Sequence, residues 1–223
     1  MMRAKAGWMC GVLGVGGLAL LNVAGGAVEN ENVSQEATSV QAGSVATLAG
    51  GCFWCVESDL EKVPGVSEVV SGYSGGSKKN AVYKKVSAGV TKHFEAIQVH
   101  FDPSTVSFAE VLDAFWKHID PTDPGGQFVD RGPQYRTAVF YHDEEQKRIA
   151  EQSKRDLEES HRFPRPIVTP ILPLDAFYDA EEYHQDYYRK SPADYYRYRK
   201  GSGRDAFIQR IWGSDTETSA AGE

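Results

Sequence analysis

The tightest constraint this sequence puts on its own fold is one junction. Val45–Ala49 reads as a short apolar strand, Gly50-Gly51 ends it, and a helix predicted over Cys52–Val63 begins at once, stopped by Pro64-Gly65. Cys52 falls at the helix N-terminus and Cys55 one turn deeper. Free backbone N–H groups and the positive end of the helix dipole favour a thiolate there, lowering a cysteine pKa from ~8.5 by one to several units. Side chains three apart share a helix face with Cβ atoms ~5–6 Å apart, so a small adjustment brings the two sulfurs into bonding range. A loop this short removes little entropy from the unfolded chain, so the bridge would be a poor staple. A pair that closes easily and stabilises little suits redox turnover. Two inert, partly buried cysteines would show the same spacing.

Other uses of Cys-x-x-Cys find no support in the chain. No second Cys-x-x-Cys or His-x-His pair exists to complete a zinc site, and Val56 rather than His follows Cys55, which excludes c-type haem attachment. His93, His100 and His184 are scattered, so no metal is expected. With three cysteines in 223 residues, a disulfide-scaffolded mini-protein is excluded. A net charge of −7 argues against a nucleic-acid binder, whose affinity needs a cationic surface. The Tyr, Arg and Lys of Tyr183–Arg199 therefore read as a packing segment with buried aromatic bodies and solvated tips.

The N-terminus has the pattern of a secretory signal. Arg3 and Lys5 are the only charges before Glu29; the run from Gly7 to Ala24 is apolar; Gly25-Gly26-Ala27 supplies small residues for a cut after Ala27. The alternative is an uncleaved membrane anchor, which the glycines in that run disfavour because they weaken a helix. Removing residues 1–27 discards Cys10 and takes the charge from −7 to −9. Residues 28–43, rich in Glu, Asn, Ser and Gln, read as a flexible leader, 44–212 as one domain, and 213–223 as a disordered tail. The chain is then exported, with the periplasm as the expected compartment.

Within 44–212, further strands are predicted at Val66–Tyr73, in the run holding Phe94, Ile97, Val99 and Phe101, at Thr137–Tyr141 and at Ile167–Leu172. Helices are predicted from the capping box Ser107-Phe108-Ala109-Glu110 to Ile119, from an Asp143 cap to Ser160, and over Ala180–Lys190. This order describes an α+β fold: a single-domain α/β sandwich with a mixed, largely antiparallel sheet and helices packed on it.

Four ordered motifs resemble one family. Gly51-Cys52-Phe53-Trp54-Cys55-Val56-Glu57 is similar to the active-site signature of peptide methionine sulfoxide reductase A, a repair enzyme for oxidised methionine. Tyr83 with His93-Phe94-Glu95, then Asp130-Arg131-Gly132-Pro133-Gln134-Tyr135-Arg136, then Ala180-Glu181-Glu182-Tyr183-His184-Gln185-Asp186-Tyr187-Tyr188 follow at the family's distances. The resemblance covers about Val45–Arg204 and implies a ferredoxin-like core and reduction of the S epimer of methionine sulfoxide, peptide-bound or free. It implies Cys52 as the nucleophile and Glu95, kept protonated by partial burial, as the proton donor. Tyr83 and Tyr135 would hydrogen-bond the sulfoxide oxygen, Asp130 would orient neighbouring groups, and Phe53 and Trp54 would hold the substrate methyl.

The Gly-rich stretch Gly201-Ser202-Gly203, where many relatives keep recycling cysteines, has none, which leaves Cys55 as the resolving thiol. Lys92, Phe94 and Phe128-Val129 depart from the family's usual residues and are expected to reshape the substrate rim. No bound cofactor is implied. The partners implied are oxidised proteins and an external dithiol reductant, thioredoxin or a thioredoxin-like periplasmic protein, with the enzyme a monomer that meets a membrane only through an uncleaved signal. The competing enzyme is an exported thioredoxin-type thiol–disulfide oxidoreductase, which would leave Glu95, Tyr83 and the Asp130–Arg136 motif without a task. An exported methionine- or peptide-binding module, with Phe53 and Trp54 as a clamp, is the non-enzymatic alternative.

Overall fold

The structure, a computed structural model, describes the backbone of residues 44–220 and the side chains to residue 213; the predicted signal and leader lie outside the described residues. In chain order its elements are β1 (Ser44–Gly50), α1 (Phe53–Leu60), β2 (Val66–Ser74), α2 (Tyr83–Val86), β3 (Phe94–Phe101) and α3 (Phe108–Lys117). Then follow the two-residue strands β4 (Gly126–Gln127) and β5 (Asp130–Arg131), β6 (Thr137–Tyr141), α4 (Glu144–Glu159), β7 (Ile171–Pro173), β8 (Phe177–Asp179), α5 (Tyr187–Lys190), α6 (Pro192–Ser202) and α7 (Arg204–Ala220).

Six strands form one sheet in the order β7-β6-β1-β3-β2-β8, and β4 pairs with β5 apart from it. Only β6 and β7 pair in parallel; the other neighbours in the large sheet are antiparallel. The central order β6-β1-β3-β2, with α1 joining β1 to β2 and α3 lying between β3 and β6, is the split β-α-β of a ferredoxin-like core. The expected sandwich with a mixed, largely antiparallel sheet is therefore the one found.

Alternation along the strands divides the core between the two sheet faces. Ala46, Leu48, Ile97, Val99 and Val139 join Val56, Leu60, Val111, Leu112 and Phe115 in the larger cluster. Ala49, Phe94, Ala96, Ala138 and Phe140 turn the other way into a smaller one with Leu172, Leu174 and Phe177. The predicted caps form. Ser107 Oγ accepts from Glu110 N while Glu110 Oε2 accepts from Ser107 N, and Asp143 Oδ1 accepts from Gln146 N at 2.8 Å.

Several boundaries differ from the predicted ones. Helix α1 stops at Leu60 and α3 at Lys117. Of the strand predicted over Ile167–Leu172, only Ile171–Pro173 pairs. Ahead of it, Val168 N donates to Pro121 O (2.8 Å) and the Thr169 hydroxyl bonds that of Thr137 (2.8 Å), so the segment is held as a loop.

The helix predicted over Ala180–Lys190 is broken into a 3-10 turn at Glu182–His184 and the short α5. The reason is tertiary. The Gln185 side chain pairs with the N–H and C=O of Ser71 on β2 (2.8 and 2.9 Å), Asp186 N donates to Glu57 Oε1 (2.9 Å), and Asp186 takes a left-handed φ of 52°. Two further helices, α6 and α7, complete the C-terminal part, and α7 carries helical backbone through Gly213–Ala220 where a flexible tail is predicted. No proline follows Arg204 to stop it.

Candidate active site

The junction between β1 and α1 builds the site. Gly51 has φ +84°, and a Cβ there would stand 2.6 Å from Cβ of Gln127; at Gly50 a Cβ would meet Ile119 and Val56 at 2.9 Å. Only glycines allow this turn to pack so closely. Cys52 is the residue that caps α1, its carbonyl accepting from the N–H of Cys55 (3.2 Å) and of Val56 (3.4 Å). Both cysteines are free thiols; Cys52 is 6 % exposed and Cys55 fully buried.

Cys52 borders a cavity of about 110 Å³. Its apolar wall is Phe53 and Trp54, its polar groups are Glu95, Asp130, Tyr83 and Tyr135, and Tyr198 of α6 completes it. Seven of the eight predicted site residues thus share one cavity, and Cys55 lies behind it, packed with Cys52 against Tyr195.

Glu95 projects from β3, 2 % exposed, and its Oε2 accepts from Phe53 N at 3.1 Å. Burial raises its pKa to about 8, against the lowering effect of the Phe53 N–H, with Asp130 and Cys55 adding to the rise. Near neutrality the group is an acid. Burial, followed by the field of Glu95, lifts Tyr83 to about 12 and also raises Tyr135, so both phenols keep their protons as donors. Asp130 accepts from the Tyr198 hydroxyl, whose own pKa burial pushes up.

The cysteines differ from the expectation. Burial, then the contact with Cys55 and the carboxylates of Glu95 and Asp130, push the Cys52 thiol well up, overriding the helix N-terminus. It is Cys55 that is held down, first by a hydrogen bond from Cys52 and, against its burial, by the charges of Arg204 and Arg199.

The aromatic wall is braced from the C-terminal segment. Trp54 stacks on Tyr187 at 3.9 Å between ring centroids, and its Nε1 donates to His184 Nδ1 at 3.1 Å. The His184 ring lies 4.2 Å from that of Tyr83 and 5.0 Å from that of Phe53. Glu181 accepts from Tyr83 N (2.9 Å) and from the Tyr73 hydroxyl (2.8 Å), which seats Tyr83. Tyr198, His184, Tyr187 and Glu181 are the site residues that sequence reasoning did not single out. The interleaved tyrosines of Tyr183–Arg199 were their signal: Tyr195 is buried and Tyr187 and Tyr198 half-buried, as a packing segment requires, but what they pack against is the site.

The expected rim residues fall elsewhere. Phe94 belongs to the cluster on the opposite sheet face, against Phe140, and Lys92 borders a separate groove with Gly76 and His93. Neither lines the cavity: β3 alternates, so Glu95 faces it and Phe94 does not, and Lys92 lies in the turn ahead of β3. Phe128 turns away, stacked under Arg204, while Val129 is exposed beside Asp130. No group of three or more His, Cys, Asp or Glu placed to hold a metal occurs among the described residues.

Known proteins point the same way. The family model described as "Peptide methionine sulfoxide reductase" matches residues 44–216. "Peptide methionine sulfoxide reductase MsrA 2" of Staphylococcus aureus (strain MW2) is 53 % identical over 169 residues, covering 76 % of this chain and 96 % of the relative. "Peptide methionine sulfoxide reductase MsrA" of Bacillus subtilis (strain 168) is 52 % identical over 170 residues, with the same coverage of 76 % and 96 %. Among solved structures, Mxr1 of Saccharomyces cerevisiae in reduced form is similar with a TM-score of 0.60 and 33 % identity, over 68 % of this chain and 87 % of that one. Methionine sulfoxide reductase A of Corynebacterium diphtheriae matches with a TM-score of 0.60 and 30 % identity, over 69 % and 77 %. With a fold and a sequence over the described domain in common, the chain belongs to the peptide methionine sulfoxide reductase A family and carries that family's peptide methionine sulfoxide reductase activity.

Proposed function

We propose that this chain reduces the S epimer of methionine sulfoxide, peptide-bound or free, by a two-thiol cycle on Cys52 and Cys55. The observation that carries the reading is the shared cavity: a sulfur, a carboxyl held as an acid to about pH 8, and phenol donors all border one small space. The substrate methyl lies against Phe53 and Trp54, and the sulfoxide oxygen accepts from Tyr83 and Tyr135. Cys52 attacks the sulfoxide sulfur as Glu95 protonates the oxygen, and the Cys52 thiol proton restores Glu95. The oxygen passes to Cys52, which becomes a sulfenic acid, and methionine leaves reduced by two electrons. Asp130 fixes the Tyr198 hydroxyl through its hydrogen bond. Cys55 then displaces the sulfenic oxygen as water and closes a Cys52–Cys55 disulfide, which an external dithiol of thioredoxin type reopens.

A single turnover with a methyl-sulfoxide substrate and no reductant tests the cycle. Cys52→Ser forms no methionine; Cys55→Ser forms about one equivalent and stops with a sulfenic acid on Cys52. Methionine from Cys52→Ser removes the assignment of the nucleophile, and equal loss of all chemistry in both variants favours plain thiol–disulfide exchange.

The biological setting we propose is repair of exported proteins, with residues 1–27 removed as a signal, 28–43 a leader and the enzyme a periplasmic monomer. The charge and apolar pattern from Arg3 to Ala27 supports it. Intact mass of the protein recovered from a cell envelope fraction checks it: a chain beginning at Val28 agrees, and a retained N-terminus does not.

A further inference from the structure

Helix α7 opens on a residue to which the proposed cycle gives no task. Arg204 is 1 % exposed. Its Nη2 donates to Gly50 O at 3.0 Å, its Nη1 donates to His118 O, and its guanidinium lies 4.7 Å from the Phe128 ring centroid. Its Nε has no hydrogen-bond partner, and among the described residues no carboxylate comes within ion-pair distance of it. Arg199, five residues earlier, is a contrast: Asp59 at 2.7 Å and Asp205 at 2.8 Å neutralise it. A buried cation held only by carbonyl dipoles is expensive unless a negative charge forms nearby.

The junction shows where that charge forms. A Cβ added at Gly51 would stand 3.3 Å from Arg204 Nη2, so the guanidinium lies directly under the turn that carries both cysteines. Two ionisable groups feel its positive charge, Cys55 and Asp130. Asp130 already has the Tyr198 hydroxyl as a partner. Cys55 is fully buried and does not border the cavity, so neither water nor substrate can balance its thiolate. The other groups facing Cys55 are Cys52 and Asp59 of its own helix, Tyr195, Tyr198 and Arg199 of α6, and Glu95 of β3. Of the two cations, Arg199 is spent on its carboxylates.

Resting on the proposed Cys52–Cys55 cycle, we propose that Arg204 is the positioning residue of the disulfide steps, the counter-charge that holds Cys55 as a buried thiolate. In closure, the Cys55 electron pair forms the S–S bond to Cys52, the S–O bond of the sulfenic acid breaks, and the oxygen leaves with a proton from Glu95 as water. In reopening, an external thiolate bonds to Cys52, the sulfur that borders the cavity; the S–S bond breaks and its electron pair returns to Cys55 beside Arg204.

The test follows methionine release and loss of free thiols separately in single turnovers of the full chain. In Arg204→Met the ratio of the disulfide-closure rate to the methionine burst rate falls about 10-fold or more at pH 7, and the closure profile moves about one pH unit or more to the alkaline side. Arg204→Lys recovers most of both. An unchanged ratio and profile, or a Lys variant no better than Met, overturns the proposal. A titration independent of Arg204 folding variants uses Cys52→Ser and thiolate absorbance near 240 nm: Cys55 titrates below the ordinary ~8.5, whereas a value at or above it overturns the proposal. If the wild type gives no methionine burst, the underlying cycle has failed instead.

Discussion

Replacing Glu95 by glutamine removes one ionisable proton and keeps the shape, including an oxygen able to accept from Phe53 N. An ordinary carboxyl near 4.5 would be an acid in only about 0.3 % of molecules at pH 7, whereas at about 8 it is an acid in about 90 %. If that proton is the one delivered to the sulfoxide, Glu95→Gln slows the methionine burst by about 10²–10⁴-fold, the range for a positioned general acid. The wild-type burst declines about tenfold per pH unit above pH ~8, and the residual burst of the variant does not. Stability moves the opposite way. The Glu95 pKa is raised on folding, so its contribution is fully present below about 4.5 and is lost as pH rises toward about 8. At pH 7 that loss is about 3 kcal/mol, and glutamine does not suffer it. Urea unfolding of both proteins from pH 4 to 9 should give a variant whose advantage grows to about pH 8 and then levels. Single-turnover methionine assays over the same range give the kinetic half. Equal burst rates, the same alkaline break in both proteins, or parallel stability curves would refute the assignment of a neutral, catalytic Glu95.

Other perturbations read different parts of the site. Trp54→Ala removes the stack on Tyr187 and the bond to His184, and should lower kcat/KM about 10–100-fold, mainly through KM, in steady-state assays on a sulfoxide peptide. Tyr198→Phe leaves Asp130 without its hydroxyl partner at the cavity wall, slowing the methionine burst by about 10-fold with little change in melting temperature. Gly51→Ala forces a left-handed alanine whose Cβ lies 2.6 Å from Gln127, destabilising the protein by about 1–3 kcal/mol in denaturant unfolding and displacing Cys52.

Much of the fold was legible because its signals are local. The Ser107 capping box, the Asp143 cap, the glycine pair at the junction and the alternation of β3 each act within a few residues, and each forms as read. The failures lie where distant partners intervene. Ala180–Lys190 has helical spacing, but Gln185 is taken by β2 and Asp186 by Glu57 of α1, contacts more than a hundred residues apart in sequence. Phe94 precedes Glu95 on β3 and points elsewhere, because neighbours on a strand face opposite sides, and Lys92 lies in the turn ahead of the strand.

By itself the sequence determined which chemical groups are present and the order in which they meet: a Cys-x-x-Cys at the start of a helix, a glutamate on a buried strand, and phenols in two further motifs. Only the tertiary structure decided their protonation. Cys52 has the helix N-terminus that favours a thiolate, yet it stays a thiol because burial and the contact with Cys55 outweigh that end charge. Cys55 is drawn toward the thiolate by the hydrogen bond from Cys52 and then by cations from α6 and α7, and Glu95 is kept an acid by burial among separate segments. A pKa is set by desolvation and by charges a few ångströms away in space, and neither is a property of a residue's neighbours along the chain.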